Sequence, residues 1–400
     1  MTGRALLGLS LFLFMGLLPR PAGAAENFSL SPYLDYSYSS NIFWDSSAVS
    51  DAAVSPGVEL NLAAGQFVFF LNADGKIYQS NDYLNRSMIS GGFNFFAILS
   101  KRSSFFISPD VTLTRFQGEM SYLNTAIPSL VFGLKHVFSD RLYGRVGLSL
   151  RHSDYFDEDS YDRWRAAAFG EISLFFKSQT TLRLSLGLNY LYFPHFVMDA
   201  AEPAALAATG TTAAASPAAG SRRHLPGSSA PQPGPNVAVN TVELSFPQPY
   251  IVFRVAQGLG YQTGLIAEVQ FRKNRDILEN FDPLAVDEWA LQQMDEDFFW
   301  QGTRLSLALK TEALLKLEIA LDFSYLAKEY DGLSALDLNG DPVQPLAFRA
   351  DTLAQVTMKI AKSLGHVAFY LTGSYRNNVS NDLYFRYDFY TISAGLDYAF

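Results

Sequence analysis

From residue 25 to its last residue the chain carries one dominant pattern, an alternation of apolar and polar side chains with a period of two. That period belongs to a β-strand with two unlike faces, because successive side chains leave a strand on opposite sides. In residues 181–192, Leu182, Leu184, Leu186, Leu188, Tyr190 and Tyr192 share one face, and Arg183, Ser185, Gly187 and Asn189 share the other. Leu315, Leu317, Ile319, Leu321, Phe323 and Tyr325 stand in the same way against Lys316, Glu318, Asp322 and Ser324. Phe348, Val356, Met358 and Ile360 stand against Arg349, Asp351, Gln355 and Lys359.

Sixteen such segments are read, at 28–38, 53–64, 67–79, 86–98, 104–116, 124–138, 141–152, 163–177, 180–193, 245–256, 261–272, 298–310, 314–328, 347–361, 366–377 and 384–400. Their connectors alternate between long and short, with tight turns at Gly65, Lys101-Arg102-Ser103, Ser139-Asp140, Ser178-Gln179, Thr311-Glu312 and Ser363-Leu364-Gly365. Transmembrane β-barrels have this rhythm, with short periplasmic turns and long external loops. The charges sharpen the reading. A charge at the bilayer midplane costs roughly 2–4 kcal/mol on a barrel's lipid face, and the middles of the apolar faces hold none; Arg115 and His136 sit at strand ends. The charges within strands fall on the other face, and Glu59, Arg145, Glu171, Arg183, Glu268, Arg304, Glu318 and Asp351 are the candidate lumen-facing residues. A soluble β-sandwich also alternates, but it does not call for sixteen long strands in this phase of connectors. The expected fold is all-β, a transmembrane antiparallel β-barrel of about sixteen strands.

Residues 1–24 read as a secretory signal peptide: Arg4, an apolar stretch over 5–18 too short to span a bilayer, and the small-residue cleavage pattern Ala22-Gly23-Ala24. The remaining 25–400 form one barrel domain. Residues 194–244 are the compositional break, rich in Ala, Thr, Pro and Gly, and are expected to be a disordered external loop. Nine strands precede it, so parity places it outside. Residues 281–297, with Trp289, Leu291 and Met294 among acids, are expected to form a short helix in another loop.

The absence of cysteine removes disulfides, thiolate metal sites and cysteine nucleophiles, and a net charge of −9 argues against a nucleic-acid partner. The 33 Phe and 21 Tyr are in excess for a soluble core. Phe67, Phe69, Phe93, Phe95, Tyr190, Tyr192, Phe323, Tyr325, Tyr398 and Phe400 belong to outward faces, many towards interfacial girdles.

Two stretches carry resemblances. Ser393, Gly395, Tyr398 and Phe400 resemble the C-terminal targeting signal of Gram-negative outer-membrane proteins, which implies a final strand recognised by the outer-membrane insertion machinery. Ser31-Pro32-Tyr33-Leu34-Asp35-Tyr36-Ser37-Tyr38, Ser39-Ser40-Asn41-Ile42-Phe43 and Val54-Ser55-Pro56-Gly57-Val58 resemble the β-barrel porin family associated with exopolysaccharide systems. That resemblance implies a transport or secretion barrel, with polysaccharide or an export complex as partner. Asn41-Ile42-Phe43-Trp44 equally fits an aromatic girdle at the outer interface.

No reaction chemistry stands out. His136, His152, His195, His224 and His366 lack metal-ligand spacing, and neither His152 nor His195, near outer strand ends, is accompanied by a nucleophile motif. The acidic run Asp154, Asp157, Glu158, Asp159 and Asp162, and the segment Asp337-Leu338-Asn339-Gly340-Asp341, lack EF-hand order. The expectation is a non-enzymatic outer-membrane barrel without cofactor or metal, in contact with lipid and lipopolysaccharide, acting as a porin-like channel for polar solutes. A closed-lumen structural or assembly-partner barrel is the alternative, and a barrel enzyme the third reading.

Overall fold

The computed structural model describes residues 28–399 apart from 44, 158, 160, 161, 200–238, 261, 275–299, 315, 339–341, 344 and 346. The signal peptide, the short helix expected over 281–297, Phe400 and most of the 194–244 segment therefore lie outside the described residues. The strands are β1 (Phe28–Ser39), β2 (Asp51–Ala64), β3 (Phe67–Tyr78), β4 (Arg86–Ile98), β5 (Ser103–Phe116), β6 (Thr125–Ser139), β7 (Leu142–Tyr155) and β8 (Arg163–Phe175). They continue as β9 (Thr180–Asp199), β10 (Val239–Gly258), β11 (Thr263–Arg272), β12 (Gln301–Leu314), β13 (Leu317–Ser334), β14 (Phe348–Leu364), β15 (Val367–Ser380) and β16 (Tyr387–Tyr398).

Every strand pairs with its chain neighbours, and β1 pairs antiparallel with β16 from Tyr33↔Asp397 to Ser39↔Thr391, so the sheet closes into a sixteen-stranded barrel. Closure removes the free edges whose N–H and C=O groups would otherwise go unpaired in an apolar surround. No helix of the described residues is long and apolar enough to cross a membrane.

Because paired residues share a face, the registers propagate one face assignment around the ring. Leu184 of β9 faces Ile172 of β8 and Phe253 of β10, and Phe253 faces Val269 of β11. This face is solvent-exposed and apolar: Leu186 is 51% and Ile392 50% exposed. It is the outer wall of the closed barrel. Short connectors gather at one end and long ones at the other, with the start of β1 and the end of β16 at the short-turn end.

The bounds depart from expectation mainly at the two strands flanking the Ala/Pro-rich segment. β9 runs on to Asp199 and β10 begins at Val239, inside the range read as loop, and the pair continues through Phe196↔Val242 and Asp199↔Val239 past a register shift near Leu244. The backbone ladder continues there after the alternation becomes irregular. β13 likewise continues to Ser334 instead of ending near 328.

Candidate functional site

The inward wall of the barrel and the loops around its long-loop end form the candidate site. The registers put all eight sequence-derived candidates on the inward face, but they do not make one constellation. Arg145 lies opposite Glu171, and Arg183 Nε approaches Glu171 Oε1 at 3.4 Å. Glu268 meets Arg254 at 3.9 Å, and Glu318 meets Lys310 at 3.0 Å near the short-turn end. Arg304 faces Gln270, and Glu59 faces Asn72 and Ser31. Asp351 is buried at the long-loop end, where it accepts hydrogen bonds from Arg349 Nε (3.1 Å), Ser380 Oγ (2.6 Å) and Tyr330 Oη (3.3 Å). Arg349 also stacks on the Phe385 ring at 3.5 Å, so this group fastens strand ends rather than facing open space. Arg254, Lys310 and Arg349, the partners of these acids, were legible as inward residues by parity. Which acid each meets depends on register.

The registers bring cations into direct opposition. Lys76 faces Arg86, Lys135 faces Arg145, Arg151 faces Arg165, and Arg183 faces Arg254. Like charges directly opposite one another destabilise a sheet. Among the registered inward pairs of the described residues no acid faces an acid. On β7, β8, β9 up to Phe193 and β10 from Ser245, the inward cations are Arg145, Arg151, Arg163, Arg165, Arg183 and Arg254, against the acid Glu171. The far side of the ring, β16 with β1–β3, carries Asp397, Asp35, Asp51, Glu59 and Asp74 against Lys76.

The inward face also holds aromatic rings, none of them among the outward-facing Phe and Tyr residues identified from the alternation. Tyr33 lies over its cross-strand partner Gly57, Tyr250 over Gly187 and Tyr370 over Gly395; Phe106 covers Gly133 and Phe169 covers Gly147 in the same way. A glycine opposite a ring leaves room for the ring to lie along the sheet. Arg145 is held between two of these rings, its guanidinium 4.5 Å from the centroid of Phe106 and 5.1 Å from that of Phe169.

At the long-loop end the connectors fold against one another. Asp51 accepts from the backbone N–H groups of Ser80 and Asn81 and from Asn81 Nδ2, tying the β1–β2 and β3–β4 loops together. Gln117 N–H donates to Asn85 O, Phe156 N–H to Asn124 O and Leu383 N–H to Leu336 O, and Tyr384 Oη donates to Asp45 Oδ2 at 3.0 Å. Phe43, Leu84, Met120, Leu123 and Tyr155 form a buried apolar cluster beneath this rim. Asn41 and Phe43 are buried there, which removes them from an interfacial girdle: Asn41 Nδ2 donates to Asp45 O at 2.6 Å and shapes the loop. Trp44 lies outside the described residues. On β10, Gln248 is buried and donates to Asn274 Oδ1 at 2.6 Å and to the Trp300 carbonyl at 3.3 Å, two residues that lie just past β11 and just before β12, and Trp300 is itself fully buried.

Of the C-terminal residues, Ser393 faces Ser37 and Gly395 faces Asp35 on the inward side, while Tyr398 pairs with Val367 on the outer side. His152 stacks on Trp164 at 4.2 Å on the outer face, and His136 Nδ1 shares a 2.9 Å hydrogen bond with Ser103 Oγ at the exposed short-turn rim. His224 and the side chain of His195 lie outside the described residues. In the acidic β7–β8 loop, Asp162 Oδ1 accepts the Tyr155 N–H at 2.8 Å, and burial pushes its carboxyl above the usual carboxylate range. Among the described residues no three His, Asp or Glu side chains converge as metal ligands.

No family model and no curated protein matches the chain. Among solved structures it is similar to OccAB1 of Acinetobacter baumannii (10% identity, TM-score 0.46, covering 94% of this chain and 96% of that one). It is also similar to CdiB from Acinetobacter baumannii (9% identity, TM-score 0.48, 92% of this chain and 60% of that one). A third is a bacterial polysaccharide outer membrane secretin (8% identity, TM-score 0.45, 93% and 97%). At these identities the barrel assignment stands on the strand registers themselves.

Proposed function

We propose that this chain is an outer-membrane channel for polar solutes in a Gram-negative envelope, exported by its first 24 residues and inserted with its long loops outside. The carrying observation is the inversion of a soluble protein's pattern: a continuous apolar outer wall around a closed barrel, with its charges on the inside. A sixteen-stranded barrel is wide enough to enclose an aqueous passage. The apolar wall faces lipid and, in its outer leaflet, lipopolysaccharide; Ser393, Gly395, Tyr398 and Phe400 present the last strand to the insertion machinery.

The link to polysaccharide export rests on the resemblance over 31–58. Its two ends are cross-strand partners, since Tyr33 faces and covers Gly57, so the shared residues form one local unit. Reconstitution of the folded, heat-modifiable protein in planar bilayers tests the channel. Stable unitary conductance is expected, and folded protein that never conducts overturns the open-pore reading. The hydrogen-bonded rim over a buried apolar cluster favours a second reading, a closed-lumen structural or assembly-partner barrel, which the same silent bilayer would support.

A further inference from the structure

We propose that the β7–β10 wall is an anion track, and that the lumen prefers solutes bearing carboxylate or phosphate groups over cations. This deepens the channel reading and rests on it. Three of the four cross-strand cation pairs involve this wall, Lys135/Arg145, Arg151/Arg165 and Arg183/Arg254, and are the central observation; Lys76/Arg86 lies away from it on β3–β4. Each works against sheet stability, and a local rule broken repeatedly on one surface points to function rather than folding. The chain is acidic overall, at −9, yet cations outnumber acids on its registered inward faces.

The geometry fits a track rather than a single site. Arg145 and Arg151 stand six residues apart on the same face of β7, about 20 Å along the strand. Arg165 stands beside the upper of the two, opposite Arg151. Arg183 and Arg254, ion-paired with Glu171 and Glu268, form the lower tier with Arg145, so the upper pair Arg151 and Arg165 carries most of the net positive charge. Between the tiers the inward residues of β7 are Gly147, covered by the Phe169 ring, and Ser149, so no further charge of β7 interrupts the path. Phe106 and Phe169 flank the Arg145 guanidinium, so its charge is positioned before a solute arrives. Guanidinium forks match carboxylate and phosphate oxygens bidentately. With the acids of β16 and β1–β3 across the lumen, the field runs from wall to wall and draws anions to the arginine side.

The experiment is the reversal potential of the full chain in planar bilayers under a KCl gradient, near 0.1 M where the screening length is about 10 Å. The expected sign is that of chloride, favoured several-fold over potassium. Arg151→Glu with Arg165→Glu should carry the potential to the potassium side, while Arg102→Glu on a short turn should leave it where it was. If the double reversal does not fold, Arg151→Gln with Arg165→Gln should at least halve the preference. A zero or potassium-side potential in the unaltered protein overturns the track and leaves the channel standing. Folded protein without any conductance overturns the channel, and the track with it.

Discussion

Glycine and aromatic residues act as a pair on the inward face, and the pairing makes specific demands on side-chain volume. Gly57, Gly187 and Gly395 each lie beneath a tyrosine ring, and a Cβ at any of them would collide with that ring. The ring can swing towards the lumen, so Gly57→Ala, Gly187→Ala and Gly395→Ala should each lower stability by about 1–3 kcal/mol, the usual cost of overpacking. Gly302 differs: its φ is +146° and its Cβ would run into the Ala327 carbonyl, which belongs to the neighbouring strand and cannot step aside. Gly302→Ala should therefore be the more damaging, and urea unfolding in detergent micelles or lipid vesicles measures the order. Equal losses at Gly57 and Gly302 would show that the backbone clash and positive φ at Gly302 cost no more than displacing a ring. Gly395 was legible as a member of the C-terminal pattern, but its partner Tyr370 was not, because only the β15–β16 register brings them together.

At the level of the strand, the two faces answer to different solvents. Leu186 is 51% exposed on the outer wall, and Ser185 beside it turns inward. Leu186→Arg should destabilise the barrel by roughly 2–4 kcal/mol if this position lies near the bilayer midplane, whereas Ser185→Arg should cost much less. Folding into vesicles followed by denaturant titration distinguishes them; matching losses would reverse the face assignment of β9. Strand number and faces were legible because alternation is local and the transfer energy of each apolar side chain enforces it. Strand ends were less so. The β9–β10 pair continues through Asp199↔Val239, since a ladder holds on hydrogen bonds after the hydrophobic pattern fades. Loop structure was the least legible: from sequence Phe43 reads as part of the resembling family's loop pattern or equally as a girdle residue, and only the approach of Leu84, Met120 and Leu123 buries it.

For the whole molecule, the two ends of the barrel make orientation a testable property. Ser46 lies in the β1–β2 loop, and Ser178 and Ser363 lie at the short-turn end. Cysteines introduced at Ser46 should react with a membrane-impermeant maleimide on whole cells, and those at Ser178 and Ser363 only after lysis. The reverse pattern would invert the proposed orientation. By itself, the sequence determined the number of strands and their antiparallel barrel arrangement, because these follow from a two-residue period and the energy of moving side chains between solvents. Tertiary structure decided which inward residues stand opposite one another: the cation pairs, the rings over glycines, and Asp51 holding two loops together. Those depend on register, which no single strand contains; a slip of one residue exchanges every partner and face, and closing sixteen strands into one ring selects the set that fits.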